Sequence, residues 1–261
     1  MPVDVFSSTL CTRNSQPNSK LLFAPLARAN TLFRMRLNGK FIVIDGPDGG
    51  GKGTQIKRLA ERIARECAVS VRTTRDPGGT AIGDRIRHVL LGYDLSLMAP
   101  NCEMLLFMAS RAQLVAEVVR PALAAGQTVI GDRFISATCA YQVAAGVPRE
   151  KVLEMGRLAV GETWPDLTLI LDVPPELGFQ RTGRTPQKAA KKVVGGDQLA
   201  MFADAHLDAM ERRPLDFHRR VRELFLELPA VYPKPMKIID ATRDADRVTE
   251  DIWKALRDVF P

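Results

Sequence analysis

Nine residues, Gly46-Pro47-Asp48-Gly49-Gly50-Gly51-Lys52-Gly53-Thr54, follow directly on the apolar run Phe41-Ile42-Val43-Ile44 and open onto a stretch with helical patterning. The order strand, glycine turn, helix is what a phosphate-binding loop requires. A buried parallel strand delivers the chain to the turn, flexible positions let backbone N–H groups converge, and the following helix presents its positive end to the same anion. Lys52 then supplies a mobile cation for the β- and γ-phosphates. The whole loop from Gly46 to Thr54 is therefore assigned to the polyphosphate of a nucleotide such as ATP.

Such a loop needs a core behind it, and 261 residues that are 46% hydrophobic and 26% charged suffice for one α/β domain. The formal charge of +7 is concentrated at the start of the chain. Arg13, Lys20, Arg28, Arg34, Arg36 and Lys40 face Asp4 alone there, so the body is nearly balanced and no basic stripe points to nucleic acid. Cys11, Cys67, Cys102 and Cys139 stand far apart, which suggests neither a disulfide framework nor a zinc site and fits a reducing, cytoplasmic setting. No apolar run approaches the ~20 residues needed to cross a bilayer. Residues 1–38 are rich in Ser, Thr, Asn and Pro and are read as a disordered extension; a plain tail, an upstream start before Met35 and a targeting segment all fit their composition.

From residue 39 to 261, short apolar runs alternate with helical patterns. The expectation is an α/β fold with three layers: a doubly wound, parallel, five-stranded sheet with strands at 41–45, 69–74, 128–132, 167–173 and 236–240. Ile56, Leu59, Ala60, Ile63, Ala64 and Cys67 recur at helical spacing, as do Ile82, Ile86, Val89 and Leu90. Further helices are expected near 103–124, 205–228 and 245–259. Asp45, Arg75, Asp132 and Asp172 fall at strand ends and place the chemistry on one rim, where open α/β sheets bind ligands. The basic segment 181–201 breaks the alternation; it reads as a solvated loop or as a lid that brings cations to an ATP tail.

Phosphoryl transfer needs two phosphates held in line, a metal ion and positive charge on the transferred oxygens. Lys52 and the loop amides suit the donor. Thr54 lies one position later than the usual metal-binding hydroxyl, with Gly53 in its place, which argues against direct coordination of Mg²⁺. Asp132, closing Thr128-Val129-Ile130-Gly131, suits Mg²⁺ held through water, or else a helix cap. Arg75, Arg111 and Arg133, each at or near a predicted strand or helix end on that rim, offer forked donors for a second phosphate. Phe107 lies four residues before Arg111 on the same helix face, placed to bracket a base or to join the core.

Several ordered motifs from about residue 39 onward resemble the thymidylate (dTMP) kinases. Besides the loop there are Arg75-Asp76-Pro77-Gly78-Gly79-Thr80, Leu106-Phe107 with Arg111-Ala112-Gln113, Asp132-Arg133-Phe134 continuing to Ala140-Tyr141-Gln142, Leu171-Asp172-Val173-Pro174-Pro175-Glu176, and Phe217-His218 with Val221-Arg222. The resemblance implies transfer of the γ-phosphoryl group of MgATP to dTMP. The alternatives are a kinase of another nucleoside monophosphate and an inactive nucleotide-binding switch. It implies that Asp48 bonds the deoxyribose 3′-hydroxyl and that Arg75 and Arg133 grip the acceptor phosphate. Phe107 would stack on thymine, Arg111 would approach a base carbonyl, Gln142 would read the base edge and Tyr141 would crowd the ribose 2′ position. With Gly49 where some relatives have an arginine, the catalytic arginine falls to the lid, as Arg184 with Arg181 behind it. The resemblance also implies a homodimer. Asp76 replaces the usual glutamate, Ser110 an aspartate, Phe134 a tyrosine and Ala137 a serine, and Gly53-Thr54 resembles adenylate kinases instead.

Overall fold

A computed structural model describes residues 35–92, 98–184, 210 and 212–261. Residues 1–34 of the expected extension, residues 185–201 of the expected lid, and residues 205–209 and 211 of the expected helix near 205–228 lie outside the described residues. Met35 and Leu37, at the end of that extension, are buried in the core.

Five parallel strands form one sheet in the order β2-β3-β1-β4-β5: β1 (Phe41–Asp45), β2 (Val71–Arg75), β3 (Thr128–Asp132), β4 (Leu167–Asp172) and β5 (Met236–Asp240). β1 lies at the centre, paired with β3 on one side and β4 on the other. Strand side chains alternate between faces, so β1 feeds two cores. Phe41 and Val43 join the layer built by α3 (Pro100–Leu114), α5 (Ile135–Ala144), α6 (Arg149–Val160) and α8 (Leu215–Glu227). Ile42 and Ile44 face α1 (Lys52–Cys67) and α9 (Ala245–Val259). Burial on both faces explains why the central strands read as continuous apolar runs.

The expected α/β architecture is therefore the observed one, with β2 starting two residues later and ending one later, and β4 ending at Asp172. The expected helix at 103–124 begins at Pro100 and includes a π turn at Val115–Val119 before α4 (Arg120–Ala124). Pro121 has no N–H to donate and its ring crowds the carbonyl one turn back, so a widened turn accommodates it without ending the helix. Helix α7 (Pro175–Thr182) contains the first two residues assigned by sequence to the lid.

Helix α2 (Ala81–Gly92) departs from its pattern. Its buried residues are Gly83 and Leu90, while Ile82 is 53% and Val89 49% exposed. The periodicity correctly marks an apolar face, but most of that face is turned away from this chain's own core.

Candidate active site

The loop after β1 is shaped by backbone contacts. Gly46, Gly49 and Gly51 all have positive φ, which L side chains rarely adopt. A Cβ on Gly49 would strike the backbone of Gly178 in α7, and a Cβ on Gly178 would strike the carbonyl of Asp48. The turn is thus clamped between β1 and α7, with α1 starting at Lys52 and pointing its N-terminus into the turn.

The loop separates two recesses. On one side, Gly49 to Thr54 line a space of ≈ 1100 Å³ shared with Arg181 and with Arg243, Asp244 and Ala245 after β5. On the other, Asp48 lines a cavity of ≈ 550 Å³ with Phe107, Arg111, Arg133, Tyr141 and Gln142. Six of the seven residues expected around an acceptor nucleotide line this cavity. Arg75 does not line this cavity. Its guanidinium lies in an adjoining recess with Asp84, and Arg87 borders both spaces.

Charge is concentrated at the partition. Lys52 Nζ donates to the carbonyls of Gly46 and Pro47 at 3.1 and 2.8 Å and stands 3.9 Å from Asp48. Asp48 pairs with Arg133 and, at 3.3 Å, with Arg184. Burial pushes Asp48 up, but the cations of Arg133, Lys52 and Arg184 outweigh it and hold the carboxyl below the usual range. Burial, with the neighbouring Arg133, lowers Lys52 to about 8. Arg133 has φ +67, an unusual conformation for a side-chain-bearing residue, and is held there by Asp45, Asp48 and the carbonyl of Gly46. Asp45 is fully buried and also accepts from Ser136 at 2.6 Å and from the Gly46 N–H at 2.8 Å. Its carboxyl is pushed up by burial.

The two lid candidates occupy different sides. Arg184 packs 4.5 Å over the Phe179 ring beside Asp48. Arg181 donates to the carbonyls of Ala241 at 2.7 Å and Thr242 at 2.9 Å, on the Lys52–Thr54 side.

Arg111 is not a rim residue. It is 1% exposed and pairs with the equally buried Asp76, while also donating to Phe134 O, Thr138 Oγ1 and Met108 Sδ. That leaves one of its five N–H groups for a ligand. Asp76, noted in the sequence only as a replacement for glutamate, is what holds it. Sequence reasoning also missed Glu103, which is 1% exposed and accepts from Gln142 at 3.2 Å and Arg213 at 2.9 Å. His218, which the sequence offers only as part of the Phe217-His218 motif, is buried beside Phe179, and its imidazole is lowered to about 4 by burial.

Asp132 suits a magnesium ion bound with phosphates. It is a partly exposed carboxylate at the end of β3, in register with Ile44 and within electrostatic reach of Lys52. Mg²⁺ takes one or two carboxylates and keeps several waters, so one such group is enough. Among the described residues no cluster of three or more His, Cys, Asp or Glu forms a dedicated metal cage.

Comparison with known proteins agrees with this geometry. The family model for thymidylate kinase matches residues 44–252, from within β1 into α9. A thymidylate kinase of Deinococcus radiodurans is 40% identical over 84% of this chain and 96% of its own length. Those of Nitratidesulfovibrio vulgaris and Syntrophotalea carbinolica are 36% and 40% identical, over 84% and 82% of this chain and 97% and 93% of theirs. A likeness that spans the loop, both recesses and nearly the full length of these relatives is one of whole architecture, and the chain belongs to the thymidylate kinase family.

Proposed function

We propose that this protein transfers the γ-phosphoryl group of ATP to dTMP, giving dTDP and ADP. The observation that carries the reading is the placement of one glycine loop between two recesses, with Gly49 to Thr54 lining one and Asp48 lining the other. The larger recess takes ATP, whose phosphates meet the loop amides, the end of α1 and Lys52. The smaller takes dTMP, with its phosphate directed at Arg133 and its base toward Phe107 and Gln142. An acceptor phosphate oxygen then attacks the γ-phosphorus in line, and ADP leaves.

Charge neutralisation is the main chemical work. Lys52 serves the transferred group, and Arg184 is placed to join it while Arg181 supports the donor side. Mg²⁺, held through Asp132 with water and the nucleotide phosphates, supplies Lewis-acid stabilisation when bound. Thr54, exposed in the donor recess, lines the phosphate path. Asp48 meets the 3′-hydroxyl, Tyr141 narrows the space beside the ribose, and Arg75 with Arg87 extends the cationic wall near the phosphate. A panel of nucleoside monophosphates with labelled ATP tests the assignment. Highest kcat/KM is expected for dTMP; equal turnover of dTMP and dAMP would overturn it.

We assign residues 39–261 to the kinase domain, joined by Met35 and Leu37, whose side chains pack into its core, and the residues before Met35 to an extension. The reduced thiols of Cys102 and Cys139 support a reducing, cytoplasmic location, and no described helix is long and apolar enough to cross a membrane. The working form is a homodimer. Helices α2, α3 and α6 pack in series and expose Ile82, Val89, Leu105 and Leu158, the last 79% exposed. Four large apolar groups on consecutive helices suit a self-complementary interface between two copies. Leu158→Glu is expected to halve the mass measured by sedimentation equilibrium; an unchanged dimer would remove this face from the interface.

A further inference from the structure

Behind the base-reading residue lies a buried chain of polar groups that the transfer reaction itself does not use. Gln142, on α5, is 1% exposed and lines the acceptor cavity. Its Nε2 donates to Glu103 Oε1 at 3.2 Å, and Glu103 Oε2 accepts from Arg213 Nη2 at 2.9 Å. Arg213 is in turn seated 4.5 Å over the Phe217 ring. The chain therefore runs from the residues before α8, through a carboxylate on α3, to an amide on α5.

The chemistry of the middle member fixes the orientation of the last. An ionised carboxylate only accepts hydrogen bonds, whereas a carboxamide has one accepting and one donating end. Arg213 supplies the charge that keeps a buried carboxylate ionised. Burial pushes the Glu103 carboxyl up, and Arg213 and Gln142 act against that rise. With its NH₂ tied to Glu103, Gln142 has its Oε1 left for the cavity.

Resting on the reading of this cavity as the acceptor-nucleotide site, we propose that Glu103 is a positioning residue that locks the Gln142 amide with its oxygen toward the base. The lock selects a pyrimidine whose ring N3 bears a hydrogen over one whose N3 is a bare acceptor. Thymine and uracil have that hydrogen; cytosine does not. An acceptor facing an acceptor leaves both buried groups unpaired, and such a mismatch discriminates more strongly than a small difference in shape.

The test inverts the chain one link at a time. In Glu103→Gln, the new amide accepts from Arg213 with its oxygen and turns its NH₂ toward Gln142. Gln142 must then accept, which rotates its own NH₂ toward the base. The ratio of kcat/KM for dTMP to that for dCMP is expected to fall by about tenfold or more, with KM for ATP unchanged. In the exchanged double variant Glu103→Gln with Gln142→Glu, the amide at 103 donates to the carboxylate at 142, whose other oxygen faces the base. The preference for dTMP is expected to return.

A merely structural role for Glu103 predicts loss of activity on both substrates and no rescue by the exchange. Full retention of the ratio in a folded Glu103→Gln protein overturns the lock, as does a double variant without the preference. If the single variant does not fold, the double variant alone decides. Failure of the underlying reading looks different: the unmodified enzyme would then lack any preference for dTMP over dCMP.

Discussion

Replacing Lys52 by methionine lowers kcat by about three orders of magnitude and leaves the fold in place. The side chain has no function in the core that methionine cannot fill. It is 11% exposed, its partners are two loop carbonyls and Asp48, and burial already depresses its pKa. The loss falls on the transition state, where charge on the transferred oxygens is no longer met. Thermal unfolding near the wild-type temperature together with single-turnover kinetics checks the claim; wild-type turnover by the variant would contradict the assignment. A pH signature accompanies it. Lys52 titrates at about 8 when folded against 10.5 ordinarily, so kcat/KM for ATP in the wild type should decline as pH rises through about 8. The unfolded chain binds the extra proton between those values, so this group favours folding more as pH rises across that window. Both effects should vanish in the methionine variant.

The largest expected loss of stability comes from Asp76→Ala. The change strands the Arg111 guanidinium, 1% exposed, without its counter-charge. Breaking a buried pair by removing one partner costs about 3–5 kcal/mol, which for a domain of this size lowers the melting temperature by about 10 °C. Scanning calorimetry reads the shift. Replacing both partners, as Asp76→Leu with Arg111→Met, should recover most of the loss, because no charge is then left buried. Recovery of stability without recovery of dTMP turnover would separate the structural task of the pair from the task of Arg111 on the cavity wall. A single variant within about 1 kcal/mol of wild type would show that solvent reaches Arg111 and that the pair is not a buried one.

The central strands were legible in the sequence because burial on both faces writes itself as short apolar runs, and β1 and β3 fall where those runs predict; β5, mostly exposed at the sheet edge, also keeps its expected bounds. The strand, glycine turn and helix order around Gly46–Thr54 was legible because local geometry is encoded in adjacent residues. The side-chain pairings were not. Asp76 and Arg111 are 35 positions apart, and Glu103 and Arg213 are 110 apart, so nothing in their neighbourhoods announces that they meet. Arg111 consequently reads as one of three arginines on a rim, when Asp76 has drawn it inside. Arg75 was placed by strand position alone, which gives the rim correctly but not the direction in which a long side chain leans. The pattern of α2 had the opposite fault: Ile82 and Val89 recur at helical spacing, but periodicity cannot tell a face buried in the chain's own core from one left exposed.

The crossing of the Gly49 and Gly178 backbones has a further consequence for how this enzyme can change. Neither position tolerates a side chain: at 49 both the positive φ and the opposing main chain forbid it, and at 178 the Asp48 carbonyl does. An arginine cannot be grafted at position 49 by one substitution, because α7 would first have to withdraw. An engineer wishing to place a charge there has to redesign two segments together.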